Sequence, residues 1–248
     1  MLKLIGKGAT AEIYLDGNIA SKVYLNRTID EVENERFHQQ FAHDSGLAVP
    51  QVYDLKQLED GRVVLEMAYI EGKPLMHEEM EESQLVEAMK VLVRLQDDMH
   101  QIHATELPKL VDVMGKKILS TPLDVKVKNA LMALLSQLDN QAEQLCHGDF
   151  HPLNVLFDGE KYWIIDWVDA TAGNPLADLC RTYLLLKSQM TELAVLYLQV
   201  LCAEIKCQAD AILNWQPVVA AARLSENIDD SSRDDLENLV TIWYEERF

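Results

Sequence analysis

The sequence has little cysteine and little positive charge, and each scarcity closes off a class of function. Four cysteines, Cys146, Cys180, Cys202 and Cys207, are spread over 248 residues with no CxxC pair to join a histidine pair in a zinc site. A disulfide framework and a zinc module are both disfavoured, and the thiols are expected to be reduced and mostly buried. Lysine and arginine number 22 against 41 aspartates and glutamates, a formal net charge of −19. A field of that sign repels phosphate backbones and anionic membrane surfaces, and no basic patch interrupts it. Neither nucleic acid nor a membrane is therefore an expected partner. Long apolar runs are missing too. The most apolar stretch, Leu184 to Leu201, is broken by Lys187, Gln189 and Glu192, which suits a buried helix better than a membrane span. The N-terminus turns polar by Gly6-Lys7-Gly8, so no signal peptide is expected, and the cytoplasm is the expected compartment. There is no internal repeat and no low-complexity linker, and composition leaves the oligomeric state undetermined.

What is present is ordinary globular material, 48% hydrophobic and 25% charged, enough for one large domain or two lobes. The first seventy residues have the pattern of strands with one helix. Leu4 to Leu15 and Ile19 to Tyr24 flank the turn signal Asp16-Gly17-Asn18, as antiparallel neighbours do. A helix follows, its start marked by Thr28 and Glu31 at capping-box spacing and its end expected near Ser45-Gly46. Gln51 to Leu58 and Arg62 to Tyr69 form two further candidate strands around Glu59-Asp60-Gly61. Beyond Gly72 the periodicity is helical over 83–104, 122–141, 175–188, 191–205, 217–226 and 233–246. A strand-rich island, Leu145 to Asp169, interrupts it with a hairpin, Asn154 to Phe157 and Tyr162 to Ile165, around Asp158-Gly159. The expected class is α+β: a small β-rich lobe over 1–70, a hinge near Ala68 to Gly72, and a larger, mainly helical lobe over 71–248.

The densest chemical signal lies in that island. His147-Gly148-Asp149-Phe150-His151-Pro152-Leu153-Asn154 is followed by Trp163-Ile164-Ile165-Asp166-Trp167. Asn154 stands five positions after Asp149, and Asp166 twelve after Asn154, across the hairpin. Three oxygen-bearing side chains so spaced can be folded towards one point. Magnesium takes oxygen ligands, usually one or two carboxylates with phosphate and water supplying the rest. Phosphoryl transfer needs that metal to neutralise charge, and a carboxylate to orient the attacking hydroxyl and accept its proton.

The H-G-D-x-x-x-x-N stretch, the apolar-apolar-Asp-Trp segment and Gly173-Asn174-Pro175-Leu176-Ala177-Asp178-Leu179 together resemble the aminoglycoside-phosphotransferase and choline-kinase-like family of small-molecule kinases. The resemblance spans nearly the whole chain. It implies a bilobal protein-kinase-like fold with the active site in the cleft, Asp149 as catalytic base, and Asn154 and Asp166 as Mg2+ ligands. It also implies that His147 braces the loop and that Asp178 is a buried aspartate bonding the catalytic-loop backbone from a helix start.

The N-terminal half carries the rest of the resemblance. Gly6-Lys7-Gly8-Ala9-Thr10-Ala11-Glu12-Ile13 is similar to the kinase glycine-rich loop, in which Gly6 and Gly8 would let the backbone approach nucleotide phosphates. Ala11 departs from the third glycine, and the G-K-[ST] element of a P-loop is missing. Ile19-Ala20-Ser21-Lys22 matches V-A-I-K, which implies that Lys22 meets the α- and β-phosphates. Its glutamate partner is expected on the following helix. Apolar periodicity through Ile29, Val32, Phe37 and Phe41 favours Glu33, family spacing to Gly46-Leu47-Ala48-Val49-Pro50 favours Glu35, and Glu35 is the choice made. Val64 to Gly72 resembles the strand-to-hinge segment beside adenine. That implies Met67 next to the base, backbone groups of Ala68 to Ile70 at its edge, and Ile13, Ala20 and Leu156 against its faces.

The implied activity is Mg2+-dependent transfer of the γ-phosphate of ATP, or GTP, to a hydroxyl of a small molecule. Glu226, Asp229, Asp230, Asp234, Asp235, Glu245 and Glu246 suit an amine-rich acceptor such as an aminoglycoside, and suit a solvated helix face still better. Two other classes compete. A protein kinase would need a long activation segment, yet only about ten residues separate Asp166-Trp167-Val168 from Asp178. A catalytically inactive nucleotide-binding scaffold would lack essential polar groups, and here every one is present. His100 and His103 lack the glutamate of H-E-x-x-H and suit a structural or surface role, and His151 beside Pro152 suits loop shaping.

Overall fold

The computed structural model describes residues 3–8, 10–77 and 79–248. In chain order its first elements are β1 (Lys3–Lys7), β2 (Ala11–Asp16), β3 (Ile19–Tyr24), α1 (Ile29–Asp44), β4 (Val52–Gln57), β5 (Val63–Ala68) and β6 (Lys73–Pro74). Then come α2 (Glu82–His100), α3 (Leu110–Ser120), α4 (Val125–Leu138), β7 (Gln144–Cys146), β8 (Val155–Phe157), β9 (Tyr162–Ile164) and β10 (Thr171–Gly173). Five helices close the chain: α5 (Pro175–Gln189), α6 (Thr191–Glu204), α7 (Ala209–Leu213), α8 (Gln216–Arg223) and α9 (Asp230–Glu245). The chain divides into two compact units, Met1–Glu79 with Pro152–Asp169, and Met80–His151 with Ala170–Phe248. The β8–β9 hairpin thus groups with the N-terminal residues, where a single division near residue 70 would have put it with the helices. Pairing of β6 with β8, and a bond from the Ile164 N–H to the Ala48 carbonyl at 2.9 Å, hold it there.

The first unit is built on an antiparallel sheet in the order β1-β2-β3-β5-β4. The single strand expected from Leu4 to Leu15 is in fact two. The chain reverses between Lys7 and Ala11, where the Gly8 N–H donates to the Ala11 carbonyl at 2.9 Å, and Gly6 pairs with Ile13. Ala9, a member of the glycine-rich segment, lies outside the described residues. Helix α1 starts on its capping box: Thr28 Oγ1 accepts from the Glu31 N–H, and the Glu31 carboxylate accepts from the Thr28 N–H. Such a cap stabilises a helix by about 1 kcal/mol. The helix packs on β4 and β5 around a core of Ala11, Tyr24, Val32, Val63 and Leu65.

The second unit is helical, with α6 packed on α2 and α5, and α8 set against α3, α4, α5 and α9. A two-stranded pairing of β10 with β7, from Thr171 opposite Cys146 to Gly173 opposite Gln144, ties the strand before His147 into it. Two helices, α3 and α7, were not foreseen. Gly115 in the middle of α3 costs roughly 1 kcal/mol relative to alanine and weakens the local signal. Tertiary packing forms the helix regardless, burying Leu110, Met114 and Ile118. A Cβ on Gly173 would come within 2.3 Å of Leu110 Cβ, so this junction requires glycine. Helix α7 has five residues, too few to display a period. Helix α2 stops at His100, short of Ala104, whose N–H bonds the Glu143 carbonyl at 2.8 Å and is lost to a helical turn. No described helix is long and apolar enough to cross a membrane.

Candidate active site

Lys22, on β3, is fixed by two ion pairs within the first unit. Its Nζ donates to Glu35 Oε1 at 2.7 Å and to Asp166 Oδ1 at 2.9 Å. Glu35 is 1% exposed on α1 and also accepts from the Tyr24 hydroxyl. Glu33 pairs with Arg36 at 2.6 Å instead. Periodicity pointed to Glu33 because it took Ile29 and Phe37 as inward, whereas both are exposed and the buried positions are Val32, Glu35, His38, Gln39 and Ala42. Burial works against a charged Lys22, but the attraction of Glu35 and Asp166 outweighs it and raises its pKa, so the ammonium persists.

Asp166 follows β9 and is anchored on both sides. Trp167 is fully buried, its ring N–H donating to the Ile164 carbonyl at 3.2 Å, and its own carbonyl lies 3.2 Å from His38 Nδ1. Between these anchors Asp166 takes φ +68°, in the left-handed region, a conformation that costs a non-glycine residue about 1–2 kcal/mol. Its side chain is 42% exposed. Asn154 ends a short 3-10 turn, is nearly buried, and its carbonyl accepts from the Ile165 N–H at 3.0 Å. One backbone hydrogen bond therefore links Asn154 to the residue beside Asp166. An amide oxygen and a carboxylate are hard-oxygen donors of the kind magnesium takes, so the donor chemistry fits that ion.

The remaining nucleotide-side residues fall on the same unit. Ile13 sits opposite Lys22, and Ala20 opposite Met67. Leu156 lies on β8, against the position a Cβ on Gly72 would occupy. Met67 packs against the sheet core, and its sulfur lies 3.5 Å from the Gln39 amide nitrogen. Of the expected base-edge donors, the Ala68 N–H is bonded to the Gln51 carbonyl and that of Tyr69 to the Asn18 carbonyl. Among the described residues only the Ile70 N–H of the three lacks a backbone partner. Neither Gly6 nor Gly8 has a left-handed φ.

The loop that carries Asp149 is held in the second unit by a buried polar network. Gly148 has φ +79°, which glycine adopts without strain. Its N–H donates to Asp178 Oδ1 at 2.8 Å, and Asp178 Oδ2 lies 3.0 Å from both His100 Nε2 and Gln96 Nε2. Thr182 donates to the Phe150 carbonyl at 2.9 Å, and the Tyr197 hydroxyl donates to Gln96 Oε1 at 2.7 Å. His147, fully buried, accepts from the Asp149 N–H through Nδ1 at 3.2 Å. Burial alone would raise the Asp178 carboxyl, but bonds from His100, Gln96 and Gly148 outweigh it and bring it to about 2. His100, Cys146 and Asp178 cluster closely enough to suggest a metal site. Both Asp178 oxygens are already engaged, however, and burial pushes the Cys146 thiol well up, away from the thiolate a metal needs.

Asp149 itself has an imidazole and a guanidinium for neighbours. His151 Nε2 lies 3.5 Å from Oδ2 and Arg181 Nη2 3.8 Å from Oδ1. Burial would raise its carboxyl, but the His151 hydrogen bond and the charge of Arg181 outweigh it and hold it below the usual carboxylate range. An ionised, partly buried carboxylate can accept a proton from a hydroxyl. Arg181 was missed in the sequence, although its place one helical turn after Asp178 was available as a signal. Gln96, Thr182, Tyr197 and Arg223 carried no local signal, since only tertiary structure assembles them, and Glu226 was named only among the tail carboxylates.

Residues 5–205 match the phosphotransferase enzyme family (APH). The chain belongs to that family. No curated protein matches it in sequence. Among solved structures it is similar to choline kinase LicA from Streptococcus pneumoniae, with TM-score 0.69 and 15% identity over 97% of this chain and 92% of that one. It is similar also to amicoumacin kinase hAmiN in complex with AMP-PNP, Ca2+ and Ami, with TM-score 0.70 and 13% identity over 97% and 86%. A thermostable mutant of aminoglycoside phosphotransferase APH(4)-Ia, in a ternary complex with AMP-PNP and hygromycin B, gives TM-score 0.70 and 15% identity over 97% and 90%. At such identities the likeness is one of fold: an N-terminal antiparallel sheet and a mostly helical remainder, the protein-kinase-like α+β class expected from the motifs.

Proposed function

We propose that this phosphotransferase moves the γ-phosphoryl group of ATP, with GTP as the competing donor, to a hydroxyl of a small molecule in the cytoplasm. The observation that carries this reading is the pairing of Lys22 with both Glu35 and the strained Asp166. Backbone strain of this kind concentrates at functional sites, where surrounding structure sustains it. In this reading Glu35 aims Lys22 at the α- and β-phosphates, and Asp166, whose side chain is 42% exposed, would be available to magnesium. Asn154 and Asp166 would hold magnesium, which when bound neutralises charge on the phosphate oxygens. Gly6, Gly8, Ile13, Ala20, Met67, Ala68, Ile70 and Leu156 would receive the nucleotide, with the Ile70 N–H as base-edge donor. Asp149 accepts a hydrogen bond from the acceptor hydroxyl and takes its proton as the oxygen attacks the γ-phosphorus.

The AMP-PNP held by two of the similar structures supports a nucleoside triphosphate donor. Their names, with that of choline kinase, suggest an aminoglycoside or another amine-bearing metabolite as acceptor. The short passage from Asp166 to α5 favours a small acceptor over a protein. The deciding experiment is Asp166→Ala. It should abolish magnesium-dependent ATP consumption while the circular dichroism of the fold is retained, with Asn154→Ala weakening activity less. Full activity of Asp166→Ala at saturating magnesium would overturn the assignment.

A further inference from the structure

Beside Asp149 the second unit gathers cations and leaves one of them with two nitrogens short of a hydrogen bond. Glu226 Oε1 accepts from Arg181 Nη1 at 2.7 Å and from Lys117 Nζ at 3.1 Å. Arg181 is pinned further, its Nε donating to the Gly148 carbonyl while its Nη2 stands 3.8 Å from Asp149 Oδ1. Arg223, the last residue of α8, is 4% exposed. Its Nε lies 3.8 Å from Glu226 Oε2, beyond hydrogen-bond reach, and among the described residues neither Nε nor Nη1 has a hydrogen-bond partner. Asp229, another carboxylate whose charge acts on Arg223, is spent at the start of α9, accepting from the Ser232 N–H at 2.9 Å and the Ser232 hydroxyl at 2.7 Å.

A helix C-terminus favours a cation, which accounts for an arginine at this position. It does not account for a guanidinium buried with two nitrogens unbonded, because buried donors are nearly always satisfied by protein, water or ligand. The planar fork of arginine matches a carboxylate or a phosphate with two parallel hydrogen bonds. An amine approaching Asp149 would meet the opposite conditions. Arg181 and Arg223 would repel it, and Glu226, the tail carboxylate nearest to hand, is already engaged by three cations. Asp230, Asp234, Asp235, Glu245 and Glu246 are exposed, as a solvated helix face requires.

Resting on the phosphotransferase reading above, we infer that the acceptor is a hydroxy compound carrying an anionic group, a carboxylate or a phosphate, which Arg223 binds with Arg181 while the hydroxyl meets Asp149. The hydroxyl oxygen forms a bond to the γ-phosphorus as the bond from that phosphorus to the β-bridging oxygen breaks. The nucleoside diphosphate leaves with the electron pair, and the hydroxyl proton passes to Asp149. This acceptor class differs from the amine-bearing one that the names of the similar structures suggest.

The test is calorimetry on the full chain in the presence of AMP-PNP and magnesium, with four probes: D-glycerate, glycerol 3-phosphate, glycerol and kanamycin. One of the two anionic probes should bind at least about 30-fold more tightly than glycerol, as a buried charge-paired contact would give. Which of the two does so distinguishes a carboxylate from a phosphate acceptor. Arg223→Gln should remove the preference with AMP-PNP still bound, and Arg223→Lys, keeping the charge, should restore part of it. Should Arg223→Gln not fold, the order of the wild-type affinities decides alone. Tighter binding of kanamycin than of both anionic probes overturns the inference and leaves the kinase reading standing. So does equal binding of glycerol and the anionic probes, in which case water in the cavity of about 30 Å³ against Arg223 is what satisfies the guanidinium. Failure of AMP-PNP itself to bind overturns both.

Discussion

Around Lys22 the first unit sets charge against charge, and around Asp178 the second sets one carboxylate among fixed donors. Lys22 is shared by two carboxylates, one of them 42% exposed on a left-handed residue. Such a pair can be undone by a ligand that offers each partner something better, because the exposed half regains water or a metal at little cost. Asp178 is buried, accepts from Gly148 and Gln96, and contacts His100, and Thr182 and Tyr197 extend the ring. Nothing can displace those bonds without leaving buried polar groups unpaired. One network is suited to exchange and the other to holding still. A phosphoryl transferase needs both, since its nucleotide side must take in a charged ligand and its base must stay in register.

Removing the holding carboxylate should give the larger effect on stability. Asp178→Ala leaves the Gly148 N–H, the Gln96 amide and His100 without their acceptor, and the unfolding free energy in urea should fall by about 3–5 kcal/mol. The pH dependence has a definite sign. With a folded value of about 2 against an ordinary 3.8, the charged form favours the fold above about pH 4, and that stability is lost as pH falls towards 2. Asp178→Asn should therefore flatten the acid side of the stability curve. A loss below about 1 kcal/mol in the alanine variant would mean the network is not what holds the loop, and the contrast would fail.

A smaller effect is expected where the pair is built to exchange. Glu35→Gln weakens one charge-assisted bond to Lys22, so kcat/KM for ATP should fall about 10–100-fold. Glu33→Gln disturbs only an exposed pair with Arg36 and should stay within about twofold. Steady-state kinetics on the two variants sharpens the comparison, and a larger loss in Glu33→Gln would reverse it.

The exchange side was largely legible in the sequence and the holding side was not, for a physical reason. Lys22, Asn154 and Asp166 sit in short stretches whose spacing follows from one strand, one turn and one hairpin, so local pattern carries them. The choice between Glu33 and Glu35 failed on periodicity because α1 buries Glu35, His38 and Gln39 beside Val32 and Ala42 and leaves Ile29 and Phe37 exposed. Family spacing named Glu35 where the hydrophobic pattern could not. Asp178 was legible from its place at the start of α5, while Gln96, Thr182 and Tyr197 come together from α2, α5 and α6 and leave no local trace. Arg223 belongs to the same group, and Glu226, named only as a tail carboxylate, meets Arg181 and Arg223 through the packing of α8 against α5.

In the proposed reaction Asp149, kept ionised by Arg181 and a hydrogen bond from His151, takes the proton of the acceptor hydroxyl. Asp149→Asn preserves the shape and removes the charge and the proton acceptor. Calorimetry of nucleotide binding beside turnover with an identified acceptor separates the two roles. The account predicts a nucleotide affinity close to wild type, with turnover reduced about 10²–10⁴-fold, as expected for the loss of general-base assistance. Turnover close to wild type, under conditions where chemistry limits the rate, would contradict it.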